Sequence, residues 1–128
     1  MIEKAKIQEI PLKVYRSLDR LTVATPMAGM QPVDIKIELT DDGHLLIDGE
    51  VRGMLKDVKE LLLDEWSVGA YYRDYILPLP VDGSQAMATY GNGVLVVTFP
   101  ISERLVPARL TLSSTGIAHG MSDNIALP

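Results

Sequence analysis

From Val33 to Leu39 the chain alternates apolar and charged positions, with Asp34, Lys36 and Glu38 between Val33, Ile35, Ile37 and Leu39. A period of two predicts a strand with one face buried and the other in water. Asp41-Asp42-Gly43 follows as a turn, and His44–Glu50 reads as the returning strand of a hairpin. A second hairpin is signalled by Asn92-Gly93, where both residue types tolerate positive φ, ahead of the apolar run Val94–Phe99 that Pro100 stops. Lys13–Arg16, Arg20–Thr25, residues 71–77 and residues 86–90 add further short strands. Turn signals roughly every 8 to 12 residues, with no internal repeat, predict an all-β, immunoglobulin-like antiparallel β-sandwich. Gly29 and Gly49 are expected at positions of positive φ.

Two stretches depart from this rhythm. Val51, Met54, Leu55, Val58, Leu61 and Leu62 recur at helical spacing, so periodicity alone predicts an amphipathic helix across Val51–Trp66. Residues 1–12 form a short N-terminal arm in which Ile2, Ile7, Ile10 and Leu12 stand among charged residues, with Pro11 discouraging a helix. Beyond Pro100, Ser113-Ser114-Thr115-Gly116 opens a stretch of small residues, expected to be a flexible C-terminal tail. The resulting division is an arm at 1–12, one sandwich domain at 13–100 and an extension at 101–128.

Four fragments carry a family likeness, and they occur in the family's order. They are Met27-Ala28-Gly29-Met30 with Asp34-Ile35, then Leu45, Ile47, Gly49 and Glu50, then Tyr71, Arg73, Tyr75, Leu77 and Pro78, and finally Ala88, Tyr90, Asn92-Gly93-Val94-Leu95, Val97 and Pro100. Together they resemble the small heat-shock protein, or α-crystallin, domain. The family usually places Pro where this chain has Ala28, so the turn into Gly29 is less rigid here.

That resemblance implies an ATP-independent holdase chaperone that binds unfolding proteins and prevents their aggregation. It also implies a homodimer with room for higher oligomers. In place of a helix it implies that residues 51–66 are an excursion whose distal strand crosses to a neighbouring subunit, putting Leu61, Leu62, Leu63, Asp64, Glu65 and Trp66 at the dimer interface. Arg73 matches the family's interface arginine, with Asp64 or Glu65 as the expected partner; the plain alternative is a solvated strand arginine. Tail anchors are implied at Leu110 and Leu112 or at Ile125 and Leu127, because alternate side chains of a strand share a face. A plain final strand, or an unengaged apolar pair, would account for the same residues. The receiving groove would lie between residues 33–39 and 86–90, near Ile35, Ile37, Leu39, Ala88 and Tyr90, all of which would also serve as ordinary sandwich core. The rival reading is a p23-like co-chaperone module that binds one folded partner.

Composition narrows the chemistry. Asp plus Glu outnumber Lys plus Arg by 17 to 12, giving a net charge of −5, so nucleic acid is a poor partner. There is no cysteine, hence no disulfide, no thiolate catalysis and no Cys-ligated metal. No apolar stretch is long enough for a membrane span or a signal peptide core, and cytoplasmic residence is expected. His44 and His119 lack companions at metal-ligand spacing. Asp41-Asp42 and Asp64-Glu65 are sequence neighbours that a strand would point to opposite faces. Gly91 and Gly93 precede a strand, whereas phosphate-binding glycines precede a helix. No catalytic residue, cofactor or metal is assigned.

Overall fold

A computed structural model describes residues 7–50, 62–63 and 70–121. The strands are β1 (Ile7–Glu9), β2 (Lys13–Arg16), β3 (Arg20–Pro26), β4 (Ile35–Leu39), β5 (His44–Glu50), β6 (Ala70–Ile76), β7 (Met87–Gly91), β8 (Val94–Pro100), β9 (Ala108–Thr111) and β10 (Ile117–His119). They form two five-stranded sheets, in the orders β1-β6-β5-β4-β9 and β10-β7-β8-β3-β2. The chain thus adopts the antiparallel β-sandwich that its turn spacing predicts. Every ladder is antiparallel except β1 on β6, which runs parallel.

Inward rows follow the period of two. Ile35, Ile37 and Leu39 on β4, Leu45 and Ile47 on β5, and Leu95, Val97 and Phe99 on β8 are all buried, while Lys36 stays exposed and Glu38 half-buried. Burying one such aliphatic side chain contributes about 1.5 to 3 kcal/mol, so these rows fix both register and the facing of each strand. At the β7–β8 hairpin Asn92 and Gly93 have φ of 52° and 77°, as their turn chemistry requires.

The two glycines expected at positive φ differ. Gly29 does sit at φ 82°, but Gly49 lies inside β5 and is not left-handed. Its smallness serves packing instead: a Cβ there would stand 2.6 Å from Met30 Cε and 3.1 Å from Met27 Cε. The 51–66 stretch, whether helix or excursion, lies outside the described residues apart from Leu62 and Leu63.

Candidate assembly site: the sheet edges

A β-sandwich ends in strand edges whose amide and carbonyl groups need partners, so the fate of each edge decides what the protein can bind. Here the chain's own terminal segments cross from one sheet to the other on each side.

On the N-terminal side, β1 lies beside β6 and β2 beside β3, so residues 7–16 bridge the two sheets. Ile10, between them, is fully buried, with its amide donating to the Tyr72 carbonyl at 3.2 Å. Arg73 reaches this crossing. Its guanidinium Nη1 donates to the Ile10 carbonyl at 2.9 Å and stands 4.0 Å from Glu9 Oε1. Thr25 Oγ1 donates to the Pro11 carbonyl at 2.8 Å, tying the arm to the second sheet as well. Of the partners expected for Arg73, Asp64 and Glu65 lie outside the described residues, as do Leu61 and Trp66. Leu62 and Leu63 are 83% and 73% exposed. The outer edge of β2 pairs with no other strand among the described residues, and beside it Val14, Tyr15, Arg16 and Leu21 face Tyr75, Pro78 and Leu79 across an open cleft of about 350 Å³.

On the C-terminal side, β9 pairs with β4 in the register Ile37 to Leu110, and β10 pairs with β7 in the register Ala88 to Ala118. Leu110 and Leu112 are 1% and 2% exposed. Of the groove residues, Ile35, Ile37, Leu39 and Ala88 are buried, and Tyr90 is half-buried. The Tyr90 hydroxyl donates to the Met27 carbonyl at 2.6 Å. Tyr71 likewise donates to the Ala28 carbonyl at 2.9 Å, and burial, followed by the nearby Tyr90, holds its pKa above the usual value. Two tyrosines from different sheets therefore pin the Met27–Met30 turn. Ile125 and Leu127 lie outside the described residues.

Sequence reasoning missed β10, the arm's β1 and the carbonyl that Arg73 binds. A signal for β10 was present: Ser113–Gly116 is a turn cluster between Leu110-Thr111-Leu112 and Ile117-Ala118, the composition of a hairpin. No local signal marks β1, whose three residues are exposed and which is fixed only by its neighbour β6.

The sheets' outer faces differ in charge. The first carries Lys36, Glu38, Asp48, Glu50, Asp74 and Arg109 beside Leu46, Tyr72 and Ile76. By register, the second presents Ile117, Met87, Thr89, Val94, Val96, Ala24 and Tyr15 together with Lys13, Arg20, Thr22, Thr98 and His119, with no acidic residue in its strands. On the first face His44 Nδ1 is 2.7 Å from Asp74 Oδ1, and Asp42 Oδ2 is 3.8 Å from His44 Nε2. The hydrogen bond to Asp74 raises the His44 pKa, and the Thr40 hydroxyl lowers that of Asp42. Among the described residues no group of three or more His, Asp or Glu could hold a metal ion, and no helix is long and apolar enough to cross a membrane.

These features define a class: a β-sandwich that offers strand edges and, on one sheet, an outer face without acidic residues. Residues 13–109 match the Hsp20/alpha crystallin family. An 18.8 kDa class II heat shock protein of Ipomoea nil is 34% identical over 117 residues, covering 77% of this chain and 68% of the relative. Spore protein SP21 of Stigmatella aurantiaca is 30% identical over 70% of this chain, although the match spans only 53% of that relative's length. Among solved structures, heat shock protein 16.0 of Schizosaccharomyces pombe superposes with a TM-score of 0.65 at 25% identity, covering 77% of this chain and 70% of the other. The chain belongs to the Hsp20/alpha crystallin family of small heat-shock proteins. That is a family of chaperones, not of enzymes.

Proposed function

We propose that this protein is an ATP-independent holdase that binds unfolding proteins through exposed apolar surface and keeps them from aggregating. The observation that carries the reading is the outer face of the second sheet, where Tyr15, Met87, Val94 and Ile117 are exposed and no strand residue is acidic, bordered by the β2 edge, which pairs with no other strand among the described residues. An exposed apolar face lets unfolding chains be held by dispersion and burial, and an open edge offers them, or another subunit, a backbone ladder. The net charge of −5 keeps such a surface from self-association.

In this reading two copies associate through the β2 side, each excursion at 51–66 reaching the other's β2 edge, with Leu62, Leu63 and the unpaired cleft beside Tyr15 supporting that placement. Arg73 sits at the same side, where it anchors the arm from which β2 starts. Cytoplasmic residence belongs to the same proposal.

The test is light scattering from a heated, aggregation-prone client without ATP, across ratios of protein to client. Suppression near equimolar subunits is the expected result. No suppression at several-fold excess, with the protein still folded, would refute the holdase reading and favour a p23-like module that binds one folded partner.

A further inference from the structure

The strands divide their charge unevenly between the two sheets. In the first sheet Glu9, Glu38, Asp48, Glu50 and Asp74 stand against Lys36, Arg73 and Arg109. In the second the charged side chains are Lys13, Arg16 and Arg20, with no carboxylate in any of its strands. The whole chain carries 17 acids to 12 bases, so carboxylate partners are plentiful. Even so, no ion pair to Lys13, Arg16 or Arg20 forms among the described residues, and all three are exposed. The nearest carboxylates along the chain, Asp19 in the β2–β3 turn and Glu103 past β8, lie outside the strands.

Lys13 and Arg20 belong to the outer face. By register one outer row runs Ile117, Thr89, Val96, Ala24 and Lys13, and the next runs Met87, Thr98, Thr22 and Tyr15, with Arg20 one step further along β3. At the centre Thr22, Ala24, Val96 and Thr98 are small or β-branched and half-buried, which makes the surface flat and leaves its interior uncharged. Five strands about 4.8 Å apart give a face about 19 Å across, the reach of about six extended residues at about 3.3 Å each. A chain lying across it places one short apolar stretch over the centre and brings its flank to Lys13 and Arg20.

Local charge decides what that flank should be. The sheets of a sandwich pack about 10 Å apart, and the Debye length at physiological salt is about 8 Å, so the carboxylates of the first sheet's outer face are largely screened from a segment on the second. An acidic flank meets two unpaired cations there, whereas a basic flank meets like charge and no carboxylate. An anionic membrane would instead present its charge to the whole chain, whose net −5 opposes the approach.

We infer that the outer face of the second sheet selects unfolding segments in which an apolar stretch of about six residues is flanked by carboxylates. The cations add selectivity to a surface that burial alone would leave indiscriminate. This inference rests on the holdase reading above and names the class of segment that the same face prefers.

The test uses the full-length chain and two fluorescein-labelled unfolded peptides that share one six-residue Val/Leu/Ser core, one with Glu at both ends and the other with Lys. At about 0.15 M salt the Glu-flanked peptide should bind about fivefold more tightly by fluorescence anisotropy, the scale of two exposed ion pairs. The ratio should fall toward one near 1 M salt, where the Debye length contracts to about 3 Å. Lys13→Glu/Arg20→Glu, two exposed positions, should reverse the preference, and Lys36→Glu, on the other sheet's outer face, should leave it unchanged. Equal binding of the two peptides by wild type would overturn the selectivity and leave the holdase reading standing. Binding of neither, with suppression of client scattering intact, would place capture elsewhere and overturn it as well. A loss of preference in Lys36→Glu as large as in the double variant would show that total charge decides, and full displacement of the Glu-flanked peptide by phosphatidylserine vesicles would move the assignment to a membrane; either result overturns the inference.

Discussion

Leu110→Ala probes whether the tail hairpin is core or ornament. Leu110 is 1% exposed and paired through β9 with Ile37, whose side chain is 2% exposed. Removing three carbons from such a site costs the transfer energy plus a cavity, about 2 to 5 kcal/mol for Leu→Ala. At roughly 2.1 cal/mol/K of unfolding entropy per residue, a 128-residue chain loses about 11 °C of Tm for a cost of about 3 kcal/mol. The hairpin's position adds a second expectation. β9 and β10 lie at the end of the described chain and contact the rest along two edges, so the cost cannot exceed the free energy that holds the hairpin down; beyond that the hairpin detaches and the remaining strands stay folded. Leu110→Ala/Leu112→Ala should therefore cost clearly less than the sum of the two single changes, whereas Ile47→Ala, in the middle of its sheet, should show no such ceiling. Urea denaturation followed by circular dichroism measures all four variants, and hydrogen exchange locates the opening. A loss under about 0.5 kcal/mol for Leu110→Ala, the range of an exposed surface change, would refute the claim that this tail is packed.

The glycines separate strain from tight packing. Gly116→Ala must force an L side chain to φ 83° against the Tyr90 carbonyl, whereas Gly49→Ala presses closely only on the ends of two flexible methionines, with the Asp34 carbonyl at an ordinary 3.5 Å, so the first should destabilise clearly and the second by about 1 kcal/mol or less, with thermal unfolding as the check. Arg73→Ala leaves the Ile10 carbonyl without its guanidinium donor, a loss of about 1 to 3 kcal/mol, and limited proteolysis should then cut within residues 7–12 well before the sandwich; unchanged protection of the arm would contradict the contact. His44 has a raised folded pKa, so its stabilisation is full below its ordinary 6.5 and is lost as pH rises through the raised value. The Tm gap between wild type and His44→Asn should accordingly shrink from about pH 5 to about pH 8, and a gap that widened over that range would contradict the His44–Asp74 pairing. Asp42 works in the opposite sense, its contribution being present above 3.8 and lost as pH falls through its lowered value.

The family and the sandwich were legible because their signals are local. Alternation at 33–39, the Asp41–Gly43 turn and the Asn92-Gly93 hairpin each specify a strand or a turn from a few adjacent residues, and β4, β5 and β8 stand within two residues of where those patterns put them. Gly49 shows the limit: a glycine's identity is visible in sequence, but whether it serves φ or a neighbour's methyl group depends on Met27 and Met30, some twenty residues away.

By itself, then, the sequence determined where β2 to β8 lie, which face of β4, β5 and β8 is buried, and the absence of thiol chemistry. Only the tertiary structure decided what happens at the sheet edges. Leu110-Thr111-Leu112 has the same composition whether it lies on its own β4 or on another subunit's, and Arg73 has the same charge whether it meets Asp64 or the Ile10 carbonyl. Those outcomes depend on which backbone groups remain unpaired after the sandwich closes, a property of the assembled chain rather than of any local stretch.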